Sequence, residues 1–211
     1  MICISIGNRA LLNQVNELQP GLVELRYDMI GKMPSAVSGL VTSSVKQLAT
    51  CRPGSIPDAE RLEILKSAIQ LGADYVDVEI ESSQSFINEI RTRAREMGTA
   101  LIVSYHNYGS TPELPELKRI LASCYQAGAD IAKIACQVNS QKDSARLMSL
   151  YGEEGKKVVI GMGSLGKITR IAALELGAEF TFAALSEMDI TAPGQLSFRK
   201  MNEINNQIHS S

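Results

Sequence analysis

The sequence predicts an α/β fold, a single (β/α)8 TIM barrel over residues 1–211, and three observations point to it. Eight short apolar runs recur along the chain, segments of helical period separate most of them, and one glycine-containing phrase ends three of those segments. A doubly wound open sheet is the competing arrangement. No proline- or serine-rich linker divides the chain, so one domain is expected.

The first run, Ile2 to Ile6, reads as a strand rather than a leader peptide. It is followed by Leu22 to Tyr27, Gln47 to Cys51 and Tyr75 to Ile80, then Ala100 to Tyr105, Ile131 to Cys136, Val158 to Met162 and Phe180 to Leu185. Helical spacing shows in Leu62, Leu65 and Ile69, in Phe86, Ile90, Ala94 and Met97, and in Leu117, Ile120, Leu121 and Cys124. Helices end at Leu71-Gly72-Ala73-Asp74, Ala127-Gly128-Ala129-Asp130 and Leu176-Gly177-Ala178-Glu179, where glycine suits a left-handed cap. Each phrase leads into a strand, which implies a repeated βα unit.

Composition narrows the function classes. With 211 residues, 45% of them hydrophobic, the chain can bury a substantial core. A formal charge of -2 without a Lys/Arg block argues against nucleic acid or an anionic membrane as partner, and favours a small diffusible substrate. No apolar stretch approaches the roughly 20 residues of a membrane span, so a cytoplasmic protein is expected. Cys3, Cys51, Cys124 and Cys136 are too scattered for a zinc site or a disulfide framework and read as buried thiols; no metal is expected.

In a closed parallel barrel the outer face of each strand lies under helices, so strand charges should share the inward parity. They do: Glu24, Arg26 and Asp28 alternate with Val23, Leu25 and Tyr27, and Asp77 and Glu79 alternate with Val76, Val78 and Ile80. Ser104 and His106 point inward on strand five, and so does Lys133 in Ile131-Ala132-Lys133-Ile134-Ala135-Cys136. A lysine in such a run is either a core residue paired to a carboxylate or a nucleophile whose lowered pKa supplies the neutral amine of a Schiff base. Barrel interiors are normally apolar, so a charged one tilts the reading towards chemistry. His106, one of two histidines, lies where barrel active sites form and is a candidate general acid and base.

Gly161-Met162-Gly163-Ser164-Leu165-Gly166 matches G-x-G-x-x-G and on its own suggests a dinucleotide site. It follows the seventh strand rather than the first, where glycines also allow close approach to an anion at a helix N-terminus. Arg170 beyond it could fork onto a carboxylate, and Thr191 and Gln195 in Thr191-Ala192-Pro193-Gly194-Gln195 could hydrogen-bond the same ligand.

These residues, in this order and spacing, resemble the type I 3-dehydroquinate dehydratases of the shikimate pathway over almost the whole chain. The matching segments are Glu24-Leu25-Arg26-Tyr27-Asp28, Arg52, Asp77-Val78-Glu79, Ser104-Tyr105-His106-Asn107, Ala132-Lys133-Ile134-Ala135, Met162 to Gly166 with Thr169-Arg170, and Ala192-Pro193-Gly194-Gln195. The resemblance implies a cofactor-free dehydration of 3-dehydroquinate to 3-dehydroshikimate, with Lys133 as Schiff-base nucleophile and His106 as acid and base. It also implies that Arg170 binds the substrate carboxylate near Thr191 and Gln195, and that Glu24, Arg26 and Arg52 position ring hydroxyls or one another. Asp77 and Glu79 become supporting charges behind them, and a homodimer is expected. Four features depart from the family pattern: the chain opens on its first strand without a preceding hairpin, no acid follows Arg52 before Asp58, Thr191 replaces serine, and Phe182-Ala183-Ala184 replaces the usual glycine after phenylalanine, which implies a tighter pocket rim. The second departure leaves the orientation of His106 to some other carboxylate. An aldolase-like Schiff-base barrel and a non-catalytic binder of a shikimate-like acid are the alternative functions.

Overall fold

The computed structural model describes residues 1–31 and 33–210. Among them are eight strands: β1 (Ile2–Ile6), β2 (Leu22–Arg26), β3 (Lys46–Thr50), β4 (Tyr75–Glu79), β5 (Ala100–Asn107), β6 (Ile131–Gln137), β7 (Lys157–Met162) and β8 (Thr181–Ala184). All pair in parallel, in the order β7-β6-β5-β4-β3-β2-β1-β8. Among the described residues no ladder joins β7 to β8. Backbone bonds from Glu179 N–H to the Lys157 carbonyl (3.1 Å) and from Gly163 N–H to the Pro193 carbonyl (3.3 Å) span the two ends of that seam. The barrel is therefore nearly closed, as expected, and the open-sheet alternative falls.

The outer helices are α1 (Leu12–Leu18), α2 (Tyr27–Ile30), α3 (Asp58–Gln70), α4 (Gln84–Met97), α5 (Leu114–Gln126), α6 (Gln141–Met148), α7 (Lys167–Ala172) and α8 (Phe198–His209). Unit two departs from the pattern. Tyr27, read as a strand residue, starts the four-residue α2, which Gly31 ends in the left-handed region at φ 63°; 3-10 turns at Pro34–Ala36 and Ser38–Leu40 follow. Glycine and proline this close together interrupt a regular helix.

The repeated phrase works as its residues suggest, and does more. Gly72, Gly128 and Gly177 have φ of 90°, 100° and 92°, conformations that glycine adopts without a Cβ clash. The acid two residues later has a second task. The Asp74 carboxylate accepts the Gln47 N–H at the head of β3, and Asp130 accepts the Leu101 N–H of β5, both at 2.8 Å. These carboxylates satisfy backbone donors at the barrel bottom. Glu179 instead pairs with Lys156 at 3.1 Å.

Strand parity divides the core into two shells. Val23, Leu25, Val76, Val78, Val103 and Ile134 pack under the helices. Leu22, Leu48, Ile102, Ile131, Val158 and Phe180 fill the barrel interior. Fully burying each such side chain contributes about 1.5–3 kcal/mol, so these two shells drive closure. Higher in the interior the buried residues become polar: Ser5, Glu24, Thr50, Asp77, Ser104 and Lys133. Those groups cost free energy unless each finds a partner. All four cysteines are buried and free. No helix among the described residues is long and apolar enough to cross a membrane.

Candidate active site

Lys133 is 4% exposed, and β6 aims it inward because Ala132 and Ile134 on either side belong to the outer shell. Its Nζ lies 2.8 Å from Asp77 Oδ2, 3.9 Å from Glu24 Oε1 and 4.4 Å from the centre of the Phe182 ring. The same Asp77 oxygen accepts Arg52 Nη2 at 3.0 Å, and Oδ1 accepts the Ser104 hydroxyl at 2.5 Å. Burial pushes the Asp77 carboxyl upwards, but Arg52 and Lys133 outweigh it and hold the group well below the usual carboxylate range. Asp77 is thus a fixed anion between two cations.

Glu24 is equally committed. It accepts hydroxyl hydrogen bonds from Ser5 and from Thr50, the latter at 2.9 Å, so both oxygens are engaged by the barrel itself. Arg26 makes a two-pronged pair with Asp28 through Nε (3.0 Å) and Nη2 (2.6 Å).

Arg52, just beyond β3, reaches Glu79 Oε1 at 2.5 Å, Ser104 Oγ at 3.1 Å and His106 Nδ1 at 3.4 Å, all through Nη1. Arginine only donates, so this long contact meets the Nδ1 lone pair of the neutral ring, and Nδ1 is then the nitrogen on which the ring takes up a proton. Tyr108 stacks on the other side, its ring centre 6.2 Å away and tilted by 20°. Among the described residues no carboxylate hydrogen-bonds His106. The expectation of a substitute acid is corrected: the ring neighbours are a guanidinium and a phenol. Burial, then Arg52 and Lys133, pull His106 well below the ordinary histidine range, against a smaller upward pull from Asp77. The imidazole is accordingly neutral at pH 7, able to accept a proton and, once protonated, a strong acid.

Arg170 has a different environment. It is 1% exposed although it belongs to a short helix, because its side chain turns under the β7–β8 seam. Its bonds are long, to the carbonyls of Phe182 (3.5 Å) and Pro193 (3.4 Å), and its Nε has no partner among the described residues. Burial pulls its pKa down to about 10, against an upward pull from the more distant Glu24. Beside it, Gln195 Oε1 accepts the Thr191 N–H (2.9 Å), the Thr191 hydroxyl (3.2 Å) and the Ala192 N–H (3.2 Å). Three donors on the oxygen leave the Gln195 amide NH2 as the group with hydrogens to give.

The glycines of the G-x-G-x-x-G segment have a structural use. A Cβ on Gly166 would strike the Gly161 backbone, and one on Gly194 would strike that of Gly163. Their close approach is to protein backbone and holds the Arg170 and Gln195 loops together, so in this barrel the dinucleotide reading falls.

One cavity at the C-terminal end of the barrel is lined by Lys133, His106, Glu24, Arg26, Arg52, Arg170, Thr191 and Gln195 together. Asp77 and Glu79 are not part of that lining but contact Arg52 and Lys133, which are. The cavity also has apolar lining from Phe182, expected at its rim, and from Ala135, Ile160 and Met162, which were missed although inward parity on β6 and β7 carried that signal. Sequence reading also missed Ser5, Tyr108 and Arg61. A wider groove between α3 and α4 is bordered by surface pairs such as Arg93–Glu96 and holds none of these groups.

The model of the family described as type I 3-dehydroquinase matches residues 2–211. A 3-dehydroquinate dehydratase of Methanococcus vannielii is 35% identical, with 99% of this chain and 100% of the relative covered. One of Methanococcus maripaludis is 33% identical over 97% of this chain and 98% of the relative. The crystal structure of the 3-dehydroquinate dehydratase from Aquifex aeolicus superposes with a TM-score of 0.87 at 29% identity, with both chains fully covered.

Proposed function

The chain belongs to the type I 3-dehydroquinase family, and on that premise we propose that this dehydratase works through a Schiff base on Lys133, with His106 as its acid and base. Lys133 gives up one proton and adds through its neutral amine to the ring ketone of 3-dehydroquinate; that proton returns to the carbinol oxygen, which leaves as water, forming an iminium that acidifies the adjacent C–H. His106 takes that proton, and the C–H electron pair passes into an enamine. The enamine expels the β-hydroxyl, which takes the proton back from His106 and departs as water. Hydrolysis of the conjugated iminium returns the amine and releases 3-dehydroshikimate, for a net loss of one water.

Arg170 receives the substrate carboxylate, with Gln195 and Thr191 beside it, while Arg26, Arg52 and Glu24 shape the hydroxyl side. Asp77 holds Lys133 and Arg52 in place, and Glu79 holds Arg52. The enzyme acts without a cofactor, as a single catalytic domain over residues 1–211, and as a cytoplasmic homodimer.

The observation that carries this reading is the cavity itself. It joins Lys133 to His106 and faces them with a buried arginine that, among the described residues, contacts no carboxylate. Incubation with 3-dehydroquinate and borohydride, followed by peptide mass analysis, should find the reduced adduct on Lys133. Active protein whose Lys133 stays unmodified under those conditions overturns the mechanism.

A further inference from the structure

We propose that Arg61 of α3, which does not line the cavity, is a positioning residue: by holding one oxygen of Glu79 it keeps an Arg52 N–H directed at His106. The proposal rests on the acid–base role of His106 given above.

Arg61 is 1% exposed, and each part of its guanidinium is committed. Nε donates to the Cys51 carbonyl (3.0 Å), Nη1 to Asp58 (2.6 Å) and Nη2 to Glu79 Oε2 (2.9 Å), with the Phe86 ring centre 5.0 Å away. Burying a cation costs several kcal/mol, and stability alone would be served as well by an apolar side chain. What the guanidinium adds is a grip on Glu79.

That grip matters because Arg52 is oversubscribed. Its Nη1 has two hydrogens, and Glu79, Ser104 and His106 all lie within reach of it. With Oε2 tied to Arg61, Glu79 offers Arg52 a single oxygen. Released, the carboxylate could take the Arg52 fork in two parallel bonds, the preferred geometry of this pair, and draw Nη1 away from the imidazole. The charged and titratable groups facing His106 are Arg52 beyond β3, Lys133 on β6, Asp77 on β4, Arg26 on β2 and Tyr108 after β5. Of these, Arg52 is the one linked through Glu79 to Arg61. No family position read from the sequence assigned Arg61 a part, since Asp58-Ala59-Glu60-Arg61 looks like the solvated first turn of a helix.

The chain has two histidines, so the ring signals of histidine-labelled protein can be followed by NMR, with His209→Asn identifying the other one. In Arg61→Lys, which retains charge and stem but not the fork, the His106 midpoint should rise by about half a pH unit to one unit towards the ordinary value. The acid limb of kcat/KM should move with it, while KM changes by less than about threefold because Arg61 lies outside the cavity. In Glu79→Gln the amide no longer competes for Arg52 as an anion, so the midpoint should fall further. Opposite shifts from two links of one chain distinguish positioning from a general loss of packing. A folded Arg61→Lys with the wild-type His106 midpoint overturns the proposal, whatever its melting temperature; if that variant does not fold, an unchanged midpoint in Glu79→Gln does so. The titration is read without substrate, so a shifted His106 beside an unlabelled Lys133 would reject the Schiff base and leave the positioning intact.

Discussion

Two arginines at the mouth of this barrel, Arg52 partly buried and Arg170 fully buried, have opposite electrostatic surroundings. Arg52, on the β3–β5 wall, pairs with Asp77 and Glu79 and also reaches Ser104. Among the described residues Arg170, at the β7–β8 seam, meets only two backbone carbonyls at 3.4 Å or more and leaves Nε without a partner. The pKa directions follow: despite burial, the acids raise Arg52, whereas burial lowers Arg170. An arginine neutralised by its own protein organises neighbours; one left under-satisfied can gain from an incoming anion. One wall is thus an internal lattice of alternating charge, and the other carries a weakly partnered arginine with no acid against it among the described residues.

Three substitutions would break or sharpen this contrast. The largest loss of stability should come from Arg52→Met, which strips a cation from two buried carboxylates. We expect about 3 kcal/mol, or roughly 10 °C in Tm, measurable by calorimetry. Arg170→Met should behave in the reverse sense. Its Tm should hold or rise, because a desolvated cation with poor partners is removed, while KM rises about a hundredfold for loss of a charge-assisted carboxylate contact. A large Tm drop in Arg170→Met, or none in Arg52→Met, would invalidate the division between the walls. The smallest effect is expected from Thr191→Val. The Thr191 hydroxyl shares Gln195 Oε1 with two backbone donors, so its loss should raise KM by only about three- to tenfold, near the 1 kcal/mol of one hydrogen bond.

Much of the architecture was legible because it depends on local rules. Alternation along each strand announces which face meets the helices, so the inward direction of Glu24, Asp77, His106 and Lys133 could be read directly. The phrases around Gly72, Gly128 and Gly177 announced helix ends, since glycine there avoids a clash that other residues would meet. The acids of two of these phrases were less legible, because the strand N–H that each satisfies belongs to a segment almost 30 residues earlier. Unit two was misread at Tyr27, whose buried ring fits the outer shell equally well from a strand or from a helix.

The candidate site divides along the same line. Inward strand parity and the family resemblance singled out Lys133, His106 and the polar residues around them as candidates, and the barrel gathers them around one cavity. Which cation is neutralised and which is left with capacity depended on distances between strands far apart in the chain. Arg52 and Arg170 are the same residue type in the sequence, and Arg61 looks like an ordinary surface charge beside Asp58 and Glu60. Electrostatic free energy depends on separation and solvent exposure, and only the closed barrel brings Asp77 and Glu79 to Arg52, buries Arg61 against Glu79, and leaves Arg170 facing the cavity without an acid.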